Sequence, residues 1–288
     1  MKKNTGSIVL EGNIEKLRTE LNDKVQYQFC VRPDPNSKEI ELMDMNPLIG
    51  SKIRIEFKGL IHCTFCGRET KKSFSGGYCF PCSQSLAQCD LCVLRPHTCH
   101  YDNGTCREPE WGEKNCMIPH YVYLSNTTGV KVGITKHTQI PTRWIDQGAI
   151  EAIPILKVGT RYQSGVFEKL FSQEVDDKTN WRSLITGKIT QIDLESTRDR
   201  LFEILGDEID ELEEKFGGDY VEILEDESLT RINYPVINYC SKAKSLNLEK
   251  MEVIEDELLG IKGQYFIFET GAINIRKYIG YKVKIEGL

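Results

Sequence analysis

The sequence predicts an α+β protein of two or three domains, built around a cysteine-held module. Three observations carry this. Apolar and polar residues alternate in runs near both ends of the chain, nine of the eleven cysteines lie between Cys63 and Cys116, and helical apolar spacing recurs in 139–147, 165–174 and 194–216. A hydrophobic content of 40% over 288 residues is ordinary for a chain that buries a core. The first residues lack the apolar run of a secretory signal, and no stretch approaches the roughly 18 apolar residues of a membrane span. We therefore expect a cytoplasmic protein with no membrane partner, in which reduced Cys-x2-Cys pairs hold metal rather than form disulfides.

The N-terminal segment, 1–61, reads as strand. Val25, Tyr27, Phe29 and Val31 fall on one face of an alternating run, and Ile53-Arg54-Ile55-Glu56-Phe57-Lys58 alternates again. At the other end, 246–288, Gln264–Phe268 and Ala272–Arg276 make a hairpin, and Tyr281–Ile285 a further strand. Ile49-Gly-Ser-Lys-Ile-Arg-Ile-Glu56 and Ile279-Gly-Tyr-Lys-Val-Lys-Ile-Glu286 share one pattern. Neither end has the apolar surface for a sheet by itself, so the two ends are expected to form one small β domain.

Cys63-x2-Cys66 and Cys79-x2-Cys82, separated by twelve residues with Gly76-Gly77 as the return turn, supply four thiolates for a closed tetrahedral site. Structural zinc takes that set, and the spacing is zinc-ribbon-like. Cys89-x2-Cys92 with Cys99, Cys106 and Cys116 offers five thiols where four suffice. A second ion held by Cys89 and Cys92 with two of the other three is the reading, so the region 62–119 is expected to bind one or two Zn²⁺. Lys52, Arg54, Lys58, Arg68, Lys71 and Lys72, interleaved with Phe65, Phe74, Tyr78 and Phe80, give the first pair a basic, aromatic approach suited to nucleic acid. Solvated lysines and core aromatics explain the same residues.

The net charge of −6 is unevenly spread. Residues 191–230 carry fifteen acids against three bases, which leaves 28 acids and 34 bases elsewhere. The acidity belongs to one predicted helix, with Leu194, Leu201, Leu205, Ile209, Leu212 and Phe216 at helical spacing within a region 191–245, and its acidic face reads as solvated surface. The mildly basic remainder permits phosphate contact.

Between these regions, 120–190 reads as a hairpin (Tyr121–Leu124, Val130–Ile134), a helix with Pro141 near its start and Gly148 at its stop, a strand (Ala152–Val158) and a helix (Gly165–Glu174). This order resembles the core of the GIY-YIG endonucleases. In the resemblance Tyr121-Val122-Tyr123 stands for the first motif and Lys131-Val132-Gly133 for the second. Arg143 stands for the arginine of the following helix, Glu168 for the metal-binding glutamate, and Trp181 for an aromatic position beyond it. It implies phosphodiester cleavage with Mg²⁺ or Mn²⁺ at Glu168, charge neutralisation by Arg143 and water positioning by Tyr123. Lys131 stands where that family has tyrosine, and Tyr121 where it has a small residue. The whole chain is also similar to an uncharacterised bacterial domain family, through Cys79-Phe-Pro-Cys82, Gln88-Cys-Asp-Leu-Cys92, Gly104-Thr-Cys-Arg-Glu-Pro109, Gln139–Gly148 and Ile273-Asn-Ile-Arg276. The expected function is a zinc-containing nucleic-acid-binding protein with a GIY-YIG-like endonuclease core. The alternatives are a non-catalytic zinc-stabilised module that binds nucleic acid or protein, and a metal or redox sensor that uses the surplus thiol.

Overall fold

A computed structural model describes residues 8–175, 180–225 and 227–288. Strands β1 (Val9–Ile14), β2 (Arg18–Glu20), β3 (Gln26–Arg32), β4 (Glu41–Asp44) and β5 (Lys52–Ile61) come first, followed by helix α1 (Phe80–Ser85). The short helices α2 (Leu91–Leu94) and α3 (Pro109–Asn115) lead to β6 (His120–Asn126), β7 (Val130–Lys136), α4 (Thr142–Gln147), β8 (Glu151–Val158) and α5 (Arg161–Phe171). Then come α6 (Trp181–Ile185), α7 (Leu194–Ile204), α8 (Gly206–Phe216), β9 (Val221–Ile223), β10 (Thr230–Arg231) and α9 (Leu248–Met251). The chain closes with β11 (Val253–Lys262), β12 (Tyr265–Phe268), β13 (Gly271–Asn274) and β14 (Tyr281–Gly287). The described residues divide into two compact units, one drawn from 1–84, 181–188 and 233–288, the other from 85–180 and 189–232. Among the described residues no helix is long and apolar enough to cross a membrane.

The first unit is a curled antiparallel sheet in the order β13-β12-β11-β5-β14-β1-β3-β2, with β4 also on β3. Its centre pairs the two copies of the shared sequence pattern: Ile55 lies opposite Ile285, Arg54 opposite Glu286 and Glu56 opposite Lys284. Alternation then puts Ile53, Ile55, Val283 and Ile285 in the core. The charges fall on the outer face, where Lys284 meets Glu286 at 2.6 Å and Lys58 meets Glu56 at 2.7 Å. Tyr27, Phe29 and Val31 of β3 are buried, and so is Cys30 on the other face of the strand, where Gln26 is exposed. Helix α6 belongs here too: Leu184 and Ile185 pack with Cys240, Ile267 and Ala272, and Trp181 rests on that cluster. Residues 181–188 therefore leave the stretch 120–190 that the sequence reads as one core, and residues 176–179 of that stretch lie outside the described residues.

The second unit is a five-stranded antiparallel sheet in the order β10-β8-β6-β7, with β9 also on β8. Val122, Leu124, Val132 and Ile134 point to one face, against Phe167 and Phe171 of α5. Leu194, Leu201, Leu205 and Ile209 join the same core, so the acidic region lays its apolar stripe on this sheet. The single long helix expected over this stretch is two helices of 11 residues. The α-helical backbone stops at Leu205 (φ −106°, ψ 14°), and Gly206 starts α8. Helix α5 also begins earlier than expected, at Arg161, behind a capping box in which Thr160 and Gln163 satisfy each other's backbone N–H groups.

Candidate functional site

Four thiols converge at the end of β5 in the first unit. Cys63, Cys66, Cys79 and Cys82 have all their sulfurs within 4.8 Å of one another, and Cys66 Sγ stands 3.8 Å from Cys79 Sγ. Four sulfurs about 2.3 Å from one zinc would be separated by about 3.8 Å, so the set fits a tetrahedral ion. Local backbone explains the convergence. Gly67, in the left-handed region at φ 69°, turns the first knuckle so that its N–H reaches Cys63 O at 2.9 Å. A tight return through Ser75, Gly76 and Gly77 closes Phe74 onto Tyr78. Cys82 then sits in α1, whose Ser83 N–H reaches back to Cys79 O. Burial raises the Cys63 thiol, but the backbone N–H groups of Cys66, Cys79 and Phe65 outweigh it and bring it down to about 7. Burial and the neighbouring sulfurs push Cys82 the other way. Thiols crowded in this way favour a cation among them. Around the four, Phe65 and Phe80 are exposed, Phe80 stacks edge-on to Phe74 at 5.5 Å, and Lys72 lies over Phe74.

The five cysteines from Cys89 to Cys116 make no all-cysteine group as tight as the first. All belong to the second unit, so the region 62–119 is not one module. Cys92, Cys99, Cys106 and Cys116 line one pocket, and Cys89 is not among its walls. The tight group in this stretch is Asp90, Cys92 and His100. Asp90 caps α2 by accepting from Cys92 N–H and takes Arg107 Nε at 2.6 Å. His120, also near these cysteines in sequence, is buried in β6, with Nδ1 2.7 Å from Ile118 O.

A polar cluster in the second unit gathers around Tyr123 of β6. Tyr123 lies across from Gly133, and a Cβ at Gly133 would come within 2.5 Å of the Tyr123 hydroxyl oxygen, so only glycine admits the ring there. The hydroxyl donates to Gln147 Oε1 at 2.8 Å, and Trp144 packs edge-on at 5.9 Å. Burial pushes Tyr123 up to about 12; the Arg143 guanidinium opposes that shift, and the Glu168 carboxylate adds to it. Tyr123, Arg143 and Glu168 are thus electrostatic neighbours, contributed by β6, α4 and α5. Arg161, at the start of α5, faces the charges of Arg143 and Glu168 as well. Lys131 sits on β7 opposite Ser125, two residues from Gly133 and on the same face. Trp181 lies in the other unit.

A family model described as "Protein of unknown function (DUF2797)" matches residues 50–283. The chain belongs to the DUF2797 family. No curated protein and no solved structure matches it. The span that makes this a DUF2797 chain takes in both cysteine groups and the Tyr123 cluster. Two residues of that cluster escape a reading of the sequence. Gln147 stands four positions after Arg143 and so on the same face of α4, a signal that spacing offers. Arg161 directly follows the capping residue Thr160, which marks the start of α5.

Proposed function

We propose that this protein binds nucleic acid and cleaves its phosphodiester backbone at a GIY-YIG-like site in the second unit, with structural zinc in the first. The observation that carries the reading is the meeting of Tyr123, Arg143 and Glu168 on a sheet ordered β8-β6-β7, with α4 and α5 following in sequence. Chemistry supports the donor set. A lone carboxylate suits a Mg²⁺ or Mn²⁺ ion that takes its other ligands from substrate phosphate and water. Such an ion, held at Glu168, would supply Lewis-acid activation of the phosphate. Arg143 would neutralise charge that builds on the scissile phosphate, and Lys131 would hold a neighbouring phosphate. Tyr123, enclosed and anchored to Gln147, would orient water or phosphate through its hydroxyl rather than take a proton. Arg161 would keep Arg143 and Glu168 in register. Exposed Phe65 and Phe80, with Lys72 over the Phe74 ring that Phe80 stacks on, supply the aromatic and basic surface that nucleic acid uses. No membrane partner is proposed, and the compartment is taken as the cytoplasm.

The enclosure of Tyr123 favours one second reading, a non-catalytic binder that retains the fold. The test is a cleavage and binding series on single-stranded, duplex and branched DNA and RNA with Mg²⁺ or Mn²⁺. In the enzyme, Arg143→Ala lowers the cleavage rate on the order of 100-fold or more while binding weakens far less. Absence of metal-dependent cleavage on every substrate, together with a salt-dependent loss of binding in Arg143→Ala, would establish the binder instead.

A further inference from the structure

We infer that Cys92, Cys99, Cys106 and Cys116 hold a second zinc ion with Cys89 outside the ligand set, and that this centre braces the helix carrying Glu168. The inference deepens the zinc part of the proposed function and stands apart from cleavage. The four thiols come from four places, α2, the turn after Pro96–Thr98, the loop before α3 and the end of α3, yet they wall one pocket with Trp111 and Met117. Packing does not account for that convergence. Between Ser85 and Pro119 the buried apolar side chains, apart from Pro96, are Leu86, Ala87 and Cys116, too few to fix a segment of that length. A metal supplies what such a segment lacks.

Charge agrees. Four thiolates on one zinc carry a net −2, and the half-buried Arg161 lies beside them, within the field of both Cys116 and Cys92. Its Nη2 donates to Val93 O at 2.7 Å and its backbone N–H to Cys116 O at 2.8 Å. The competing set of Asp90, Cys92 and His100 is otherwise engaged. The Asp90 carboxylate takes Arg107 Nε at 2.6 Å and the Cys92 N–H at 3.3 Å, and His100 Nδ1 meets Thr105 Oγ1 at 2.8 Å. Asp90 and His100 act as outer partners that orient the loop.

The bracing follows from one close approach. Pro96–Thr98, between Cys92 and Cys99, presses on α5 at Gly165, where a Cβ would stand 2.6 Å from His97 N and 2.8 Å from Pro96 C. Glu168 is three residues further along the same helix, and Arg161 ties the helix start to the cysteine loop.

The test measures zinc in the full chain, purified reduced and without chelator. Two zinc ions per chain are expected, falling to one in Cys99→Ser and in Cys106→Ser and staying at two in Cys89→Ser and His100→Ala. Backbone amides of α5 should exchange faster in Cys99→Ser. Should a serine variant fail to fold, cobalt substitution of the unaltered chain counts ligands directly, through thiolate charge-transfer absorption expected to match eight sulfurs. One zinc in the unaltered chain, loss on Cys89→Ser with retention in Cys99→Ser, loss on His100→Ala, cobalt absorption matching only four sulfurs, or iron in place of zinc would each overturn the inference.

Discussion

Two buried side chains in β6 tie local environment to behaviour that can be measured. Tyr123 keeps its proton because burial costs its anion more than Arg143 returns, so its contribution at neutral pH is a fixed hydroxyl. His120 shows the opposite case. Burial, aided by the charges of Arg161 and Lys136 and opposed by its bond to Ile118 O, holds its pKa down at about 4. The unfolded chain binds that proton near pH 6.5 and the folded chain does not, so the unfolded state gains protons first as the pH falls. The stability contributed by neutral His120 is complete above about pH 6.5 and is lost between there and pH 4, on the order of 3 kcal/mol in total. Urea unfolding across that range should show the decline, and His120→Asn should flatten it. A slope unchanged by the substitution would assign the decline to other groups.

Gly165 shows where two elements meet and how opposing effects are weighed. An alanine there gains about 1 kcal/mol of helix propensity. The added methyl, however, would lie under 3.0 Å from backbone atoms of Pro96 and His97, which cannot turn aside as a side chain can. Overpacking of that kind costs roughly 1–3 kcal/mol and here falls at the upper end. Gly165→Ala should therefore lower the midpoint of thermal unfolding, and a higher midpoint would show that the loop does not press on α5. Much at this scale was legible in the sequence. The strands β3, β5 and β14 follow period-two alternation, and α4 stops at Gly148, whose φ is 77°. Two features were not. The break between α7 and α8 leaves Leu201, Leu205 and Ile209 at an unbroken spacing of four, so the apolar pattern passes straight through it. The sorting of the five later cysteines depends on how the loop from Cys89 to Cys116 folds back, which spacing alone does not encode.

Across the molecule, charge and cysteines are partitioned with the fold. The described part of the acidic run of 191–230 lies in the second unit, where its apolar stripe completes the core and carboxylates such as Glu195, Asp199, Glu203 and Glu208 are exposed. The Cys63 group belongs to the first unit and the Cys92 group to the second, although they follow each other directly in sequence. The pattern shared by Ile49–Glu56 and Ile279–Glu286 was visible in the sequence, and it corresponds to two neighbouring strands at the sheet centre. The placement of Trp181 was not, because a helix of five residues gives too short a pattern to show which sheet it covers. The proposed function turns on one carboxylate, Glu168 of the second unit. The most direct measurement is the rate of Mg²⁺- or Mn²⁺-dependent cleavage by the zinc-replete chain and by Glu168→Ala, prepared side by side, with metal-free binding measured on the same samples. The expected result is a rate lower by about 100-fold or more with binding unchanged or slightly tighter, since the variant removes a negative charge from the phosphate path. Cleavage that persists undiminished in Glu168→Ala would contradict the assignment of this cluster as a phosphodiesterase site.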